Sequence, residues 1–488
     1  LLVLCLPNGV LREAHEIYGI LTVKNQSFDA ALSDLGIDPE QYPAPADIQA
    51  DAGKNILVIS MESLERGFLG EQFPGLTPNL NRLAGEYNRF DMPRVYGTGW
   101  TAGSLYAHHV GMPALFKGQG NDFFQDIEGV QLTGLGQVLR EAGYYTRYIM
   151  GKPDFAGTAD LLSAYRMPIV SENSSLGKYP ESKAGLNDLD LFEETKLQVL
   201  EAVSGDQPFA LFLSTINSHY PDGIHDPRME EKIGADRGGL EFSVAALDWL
   251  IGDLFDFLSS QGLLDNTVVY LFGDHLLMGR SGKVLEKLKR EHRGLFLITS
   301  AESAALGREP GQAVYIIELP RLIIDGAGIQ SNARFISDFL AEKNLSSFVN
   351  ENALKLTALN QASVHRSDFT DGFSVELSGD TLTVAGENKT VSFDKLASRS
   401  RQVFNVVFND RMNFISHSAI PLELFFEKGK RDEKQDRLYL TVQVEGEQIT
   451  AYFGDKERVG VTLTGEHAVT FSKADIALVQ QSVSGLAE

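Results

Sequence analysis

Two carboxylates, one imidazole and a loop hydroxyl are the side chains in this sequence whose types and placement could act together chemically. Glu62 directly follows the apolar run Asn55-Ile-Leu-Val-Ile-Ser-Met61, and Asp274-His275 follows a second run, Thr267 to Phe272, after a single glycine. In parallel α/β sheets, functional groups collect where strands end at their carboxyl edge. Brought to one edge, these three side chains would make a hard-to-borderline metal site. Each piece also has an ordinary reading. A lone Glu after a strand is commonly a solvated turn or helix-start charge, and Asp-His is often a cap beside a surface imidazole. The hydroxyl lies in Tyr96-Gly-Thr98-Gly-Trp100-Thr101-Ala-Gly-Ser104-Leu105, a glycine-punctuated loop that opens a helix through Ala107. A hydroxyl at a helix N-terminus sits in positive potential, which favours its alkoxide and the phosphate it would attack. Metal coordination would depress its pKa further. The alternative is that Thr101 is simply the helix N-cap, and Thr98 and Ser104 are local rivals.

These residues need a scaffold, and the sequence describes one. Continuous β-rich apolar runs at residues 55–61, 144–150, 209–215, 267–272 and 294–299 read as strands buried on both faces. Between them helical patterns occupy residues 80–87, 135–142, 194–203 and 242–258. The alternation predicts an α/β domain with a mainly parallel sheet over residues 54–330. Residues 1–53, with short helical stretches at 14–21 and 29–35, read as a membrane-proximal connector. From 331 to 488 the texture changes. Phe373 to Val384 and Arg437 to Tyr452 alternate polar and apolar residues around turns, predicting hairpins in a β-rich accessory domain.

Composition limits what such a protein does. With 488 residues and 43% apolar content, the chain can bury a large core and hold two or three domains. Lys and Arg total 43 against 66 Asp and Glu, for a net charge of -23. That surface repels phosphate backbones, so nucleic acid is not an expected partner. An anionic substrate would have to be held by a local cluster of metal and basic groups. Cys5 is the only cysteine, which excludes an intramolecular disulfide and a cysteine-derived catalytic group in the body of the fold. The opening Leu1-Leu-Val-Leu-Cys-Leu6 reads either as the end of a longer apolar membrane segment or as an ordinary buried strand.

Five stretches occur in an order that resembles the sulfatase-like phosphoglycerol transferases of the alkaline phosphatase-like superfamily. They are Asn55 to Leu64, Leu76-Thr-Pro-Asn-Leu-Asn-Arg-Leu-Ala84, Gly97 to Thr101, Ser218-His219-Tyr-Pro-Asp-Gly223 and Gly273-Asp274-His275. The family includes lipoteichoic acid synthases and the enzymes that decorate osmoregulated periplasmic glucans, and the resemblance covers residues 54–330. It implies that Thr101 is the nucleophile and that Glu62, Thr101, Asp274 and His275 hold one divalent metal, Mn2+ or Mg2+, with Zn2+ an alternative. It further implies that His219 binds the substrate head group, and that Arg293 lines the site unless it serves a structural ion pair. His-Tyr-Pro-Asp-Gly is similar to the His-Pro-Asp-Gly of the glucan-modifying branch. The implied reaction moves glycerol phosphate from phosphatidylglycerol to a periplasmic glucan at the outer face of the bacterial inner membrane.

The sequence departs from the pattern at Met150, Ala156 and Thr158, where lipoteichoic acid synthases present His, Trp and Arg to glycerol phosphate. Head-group recognition must therefore differ, with Lys152 the nearest replacement charge or else a surface lysine. A sulfatase would need a Cys or Ser in a Cys/Ser-x-Pro-x-Arg frame, whereas this loop reads Thr101-Ala-Gly-Ser104. A phosphoethanolamine transferase, a phosphodiesterase and a non-catalytic glycan-binding or sensor module are the remaining alternatives.

Overall fold

The apolar runs become strands of one sheet because burying them on both faces removes their apolar side chains from water. In the computed structural model, β1 (Asn55–Met61), β5 (Phe209–Ser214) and β6 (Thr267–Gly273) have no exposed residue, as expected of strands covered on both faces. The remaining members are β2 (Asn88–Met92), β3 (Tyr145–Ile149), β4 (Ile169–Val170) and β7 (Leu295–Thr299). Among the described residues these seven strands lie in the order β2-β7-β6-β1-β5-β3-β4. All pairings from β6 to β4 are parallel, while β7 runs antiparallel to both of its neighbours. The structure describes residues 26–116, most of 124–366, and the strands between Phe373 and Phe471.

Helices flank the sheet as the periodicity predicts. α1 (Phe28–Asp34), α2 (Pro78–Glu86), α3 (Thr101–Val110), α4 (Leu135–Glu141), α5 (Asp188–Val203), α6 (Gly239–Ser260), α7 (Leu319–Ala327) and α8 (Ala353–Ser363) carry the main packing. Leu80 and Leu83 of α2 join Leu247, Leu250, Ile251 and Leu254 of α6 in one apolar cluster with β1 and β6. The start of α2 is anchored in that cluster. Pro78 needs no amide partner in the first turn, and the buried Asp248 of α6 accepts the amides of Asn79 and Leu80 at 3.0 and 2.8 Å. The mixed α/β architecture with a mainly parallel sheet is therefore the expected one.

The chain divides into two compact units, and the first extends beyond both expected boundaries. Part of the predicted connector belongs to its core: Ala31, Leu32, Ile37, Tyr42 and Ile48 are buried, and Ala50–Asp51 pairs antiparallel with Gln330–Ser331. The division after residue 330 moves to Val364. Where a β-rich tail was expected, the described residues after Ser331 form helical segments at Ile336–Phe339, Leu345–Glu351 and Ala353–Ser363, and α8 packs on α1 and buries Leu356, Leu359 and Asn360. The Asn360 amide donates to the carbonyls of Pro113 and Leu115, and its oxygen accepts from Tyr106. The predicted helix at residues 14–21 lies outside the described residues.

The second unit contains the expected hairpins. Phe373–Ser378 pairs antiparallel with Thr381–Ala385, and Leu438–Val444 pairs antiparallel with Glu447–Phe453. The latter strand pair belongs to a four-stranded sheet in which Gln402–Phe408 runs parallel to Leu438–Val444.

Candidate active site

Strand register brings the two halves of the acidic site together. β1 and β6 are adjacent and parallel, with Met61 opposite Gly273, so Glu62 and Asp274 leave the sheet side by side. The amide of Asp274 still donates to Met61 O at 3.1 Å, carrying that register one residue past the strand. Gly273 is required by close approach: a Cβ there would lie 2.0 Å from the carbonyl oxygen of Leu64. The backbone then turns sharply at Ser63, whose φ of 51° is unusual for a non-glycine residue. That turn allows the Ser63 amide to donate to Asp274 Oδ1 at 2.8 Å and its hydroxyl to donate to Glu62 Oε1 at 2.6 Å.

Glu62 is held from several further directions. Its amide donates to Thr215 Oγ1 at 3.0 Å, and its carbonyl accepts the Ser218 hydroxyl at 2.6 Å. The loop carrying both residues is itself anchored at the start of α5, where Asp188 Oδ1 accepts the amides of Ile216 and Asn217 at 2.7 and 3.1 Å. Neighbouring strands thus set where Glu62 leaves the sheet, and side chains set how it points.

Thr101 completes the group. It is the first residue of α3, whose N-cap is Trp100 and whose first turn has no side-chain cap. Thr101 is therefore not the cap, and its hydroxyl is free to donate to Glu62 Oε2 at 3.0 Å, with His275 Nε2 3.3 Å away. The rival hydroxyls do not reach the cluster. Thr98 Oγ1 donates to Val95 O at 2.9 Å, and Ser104 is buried with its hydroxyl unpartnered. The two histidines at the far end of α3 also belong to the core. Burial pushes His108 and His109 down to about 4 and about 3, leaving both neutral at ordinary pH.

Glu62, Asp274 and His275 are completely or almost completely buried, and one donor atom from each lies within 4.8 Å of the others. His275 Nε2 is 3.6 Å from Glu62 Oε1 and 3.4 Å from Asp274 Oδ2. Burial and the charge of Glu62 push Asp274 up to about 7, against the pull of His275 and two amide bonds. Burial disfavours the charged His275 ring, but Asp274 and Glu62 outweigh it and hold the ring above its ordinary value. Among the described residues no Lys or Arg pairs with either carboxylate. Two buried carboxylates sharing one imidazole are short of positive charge, which a divalent cation would supply. The donor set of two carboxylates, an imidazole and a hydroxyl fits such an ion.

Among the described hydrogen bonds, none joins the other expected site residues to the side chains of this cluster. His219 is exposed on the loop that grips Glu62, one residue beyond Ser218, with Nδ1 against Tyr220 O at 2.7 Å. Lys152 is exposed beyond the carboxyl end of β3, and Met150 is buried. Of the two roles open to Arg293, lining the site or a structural ion pair, the structure shows an ion pair. Its Nε donates to both oxygens of the buried Glu65, at 3.1 and 3.0 Å, and its Nη2 reaches Leu277 O at 2.6 Å. A guanidinium so engaged braces the loops behind the site, the ion-pair alternative open in the sequence. Ser63, Glu65, Asp188, Thr215 and Ser218 had no individual signal, although the first two flank Glu62 in Met61-Glu-Ser-Leu-Glu65.

The family model described as Sulfatase matches residues 54–309, the segment that carries every residue of this cluster. Phosphoglycerol transferase I of Xanthomonas campestris pv. campestris (strain B100) is 32% identical over 261 residues, covering 50% of this chain and 37% of that protein. Phosphoglycerol transferase I of Escherichia coli (strain SMS-3-5) is 27% identical over 291 residues, 55% of this chain and 37% of that one. The chain thus spans little more than a third of the length of these relatives. Among solved structures, the lipoteichoic acid synthase LtaP from Listeria monocytogenes aligns over 78% of this chain and 91% of its own, at 15% identity and a TM-score of 0.49.

Proposed function

The chain belongs to the sulfatase family, and on that premise we propose that it is the catalytic part of a phosphoglycerol transferase acting through Thr101. The donor is phosphatidylglycerol and the acceptor a hydroxyl of a periplasmic glucan, at the periplasmic face of the bacterial inner membrane. Relatives named phosphoglycerol transferase I support the group transferred. The observation that carries the reading is the position of Thr101 Oγ1, at the uncapped start of α3 and 3.0 Å from the buried Glu62 carboxylate. Sulfate-ester hydrolysis, which the family name would also allow, needs a Cys or Ser where this loop has threonine.

Glu62, Thr101, Asp274 and His275 would hold the divalent ion. When bound, it supplies positive charge beside the threonine oxygen and the phosphoryl oxygens. The protein's own groups perform the rest. Glu62 Oε2, already accepting the Thr101 hydroxyl, draws its proton as the oxygen–phosphorus bond forms and the bond to the diacylglycerol oxygen breaks. The free amides at the start of α3 face the phosphoryl group with the positive end of the helix. His219 protonates the leaving diacylglycerol oxygen and, in the second half, takes the proton of the glucan hydroxyl that attacks phosphorus, while Glu62 returns its proton to the Thr101 oxygen as the bond to phosphorus breaks. Lys152, exposed beyond the carboxyl end of β3, would offer a cation to the glycerol phosphate.

Labelled phosphatidylglycerol incubated with and without glucan tests the reading. Label appearing on glucan, with diacylglycerol released and both lost in Thr101→Ala, is the expected result. Release of free glycerol phosphate at the same rate with or without glucan would replace transfer by hydrolysis.

A further inference from the structure

Glu65 lies three residues beyond Glu62, completely buried, and touches none of the atoms assigned to the reaction. Its Oε1 accepts the amide of Leu277 at 2.8 Å. The same peptide unit, through Leu276 O, lies 3.0 Å from His275 Nδ1. In a trans peptide the N–H and C=O point in opposite directions. One rigid unit therefore stands between the Glu65 carboxylate and the His275 ring, gripped at both ends. Arg293 closes the arrangement by donating Nε to both Glu65 oxygens and Nη2 to Leu277 O, the carbonyl of the next peptide. Neither end of the 276–277 peptide can turn without breaking a buried bond.

The chemistry of this arrangement is directional. A carbonyl oxygen only accepts, so Nδ1 must carry the proton and, in the neutral ring, Nε2 must carry the lone pair. Nε2 is the atom aimed at Thr101 Oγ1, Glu62 Oε1 and Asp274 Oδ2. A carboxylate pulling on the peptide N–H also polarises its carbonyl and strengthens the bond that oxygen accepts. Histidine ligands are commonly fixed by a carboxylate or a carbonyl on the other ring nitrogen. Here the two act in series.

We propose that Glu65, clamped by Arg293, is a positioning residue that fixes His275 as its Nδ1–H tautomer through the 276–277 peptide and so presents Nε2 to the metal position. The proposal rests on the metal reading of the site for its purpose but not for its main test. That test is the nitrogen-15 spectrum of histidine-labelled, metal-free protein at a pH where the ring is neutral, with the His275 signals identified by their loss in His275→Ala. Wild type should show His275 as the Nδ1–H form alone. Glu65→Ala should move it toward the Nε2–H form that an unconstrained histidine side chain favours. Glu65→Gln keeps an acceptor for the Leu277 amide and should stay nearer to wild type, and it serves where the alanine variant fails to fold. Titration with Mn2+ alone should show affinity lowered by about 10- to 100-fold in Glu65→Ala, the usual effect of losing such a partner. Arg293→Ala should lie between Glu65→Gln and Glu65→Ala.

A Glu65→Ala protein that is folded and keeps the single Nδ1–H form would overturn the proposal. So would wild-type Mn2+ affinity in that variant. If wild-type protein bound no divalent ion, the metal reading would fall, while a tautomer shift in Glu65→Ala would still uphold the Glu65 assignment.

Discussion

Asp188 allows the support of the site to be perturbed apart from its chemistry. Its carboxyl is 1% exposed, with Oδ1 accepting the amides of Ile216 and Asn217 and Oδ2 without a partner. Burial is the main reason its pKa rises from an ordinary 3.8 to about 7, with Glu62 and Asp226 adding to the rise and the two amides opposing it. Between those values the folded chain keeps a proton that the unfolded chain has released. Stability from this group is thus fully present below about pH 4 and is lost as pH rises to about 7. At about 1.4 kcal/mol per pKa unit, the span sets a ceiling of about 4 kcal/mol. Asp188→Asn retains the oxygen that both amides use and removes the titration. At low pH the protonated carboxyl and the amide each place a donor at the unpartnered position, so the two proteins start level. Above about pH 7 the asparagine variant should be the more stable by up to a few kcal/mol, read as urea midpoints of the full chain across the pH range. Turnover should stay near wild type. Asp188→Ala instead orphans two amides at about 1–3 kcal/mol each and frees the loop through which Thr215 and Ser218 hold Glu62, so turnover should fall. A difference between Asp188→Asn and wild type that is flat with pH would refute the buried-charge argument. Full turnover in Asp188→Ala would refute the loop argument.

Other perturbations separate the remaining parts of the account. Asp248→Ala removes the acceptor for the Asn79 and Leu80 amides and should cost about 2–4 kcal/mol in denaturant unfolding, with activity per folded molecule unchanged. Gly273→Ala sets a methyl against Leu64 O at 2.0 Å, and parting β6 from the Ser63 turn should destabilise by about 1–3 kcal/mol and weaken Mn2+ binding measured by calorimetry. Chelation should abolish turnover, and Mn2+ restored at a hundred times its Kd should raise the stability of the folded chain by about 2.7 kcal/mol.

The sheet was legible because its inner strands are largely apolar and wholly buried, as in Asn55–Met61, Phe209–Ser214 and Thr267–Gly273. The edge strand Asn88–Met92 was not, since Asn-Arg-Phe-Asp-Met buries only two of its five residues and carries no run. Residues 331–363 were assigned to the wrong side of a boundary because α8 owes its place to α1, more than three hundred residues earlier, and not to its own pattern. At the site, Glu62 and Asp274-His275 could be found as residues that end strands, but their convergence depended on β1 and β6 being neighbours, which spacing does not encode. Thr101 was ambiguous for a local reason. Cap and nucleophile call for the same residue type at adjacent positions, and only the extended backbone of Trp100 makes Trp100 the cap and Thr101 the first helical residue. For Arg293 the sequence left a place lining the site and a structural ion pair both open, because its partner, Glu65, is 228 positions away in the chain.

The central claim is that Thr101 Oγ1 becomes bonded to phosphorus. Protein incubated with phosphatidylglycerol in the absence of glucan, quenched in acid and digested, should yield the Thr101 peptide carrying one glycerophosphoryl group, and adding glucan before the quench should remove it. An unmodified peptide, together with undiminished turnover in Thr101→Ala, would contradict the account.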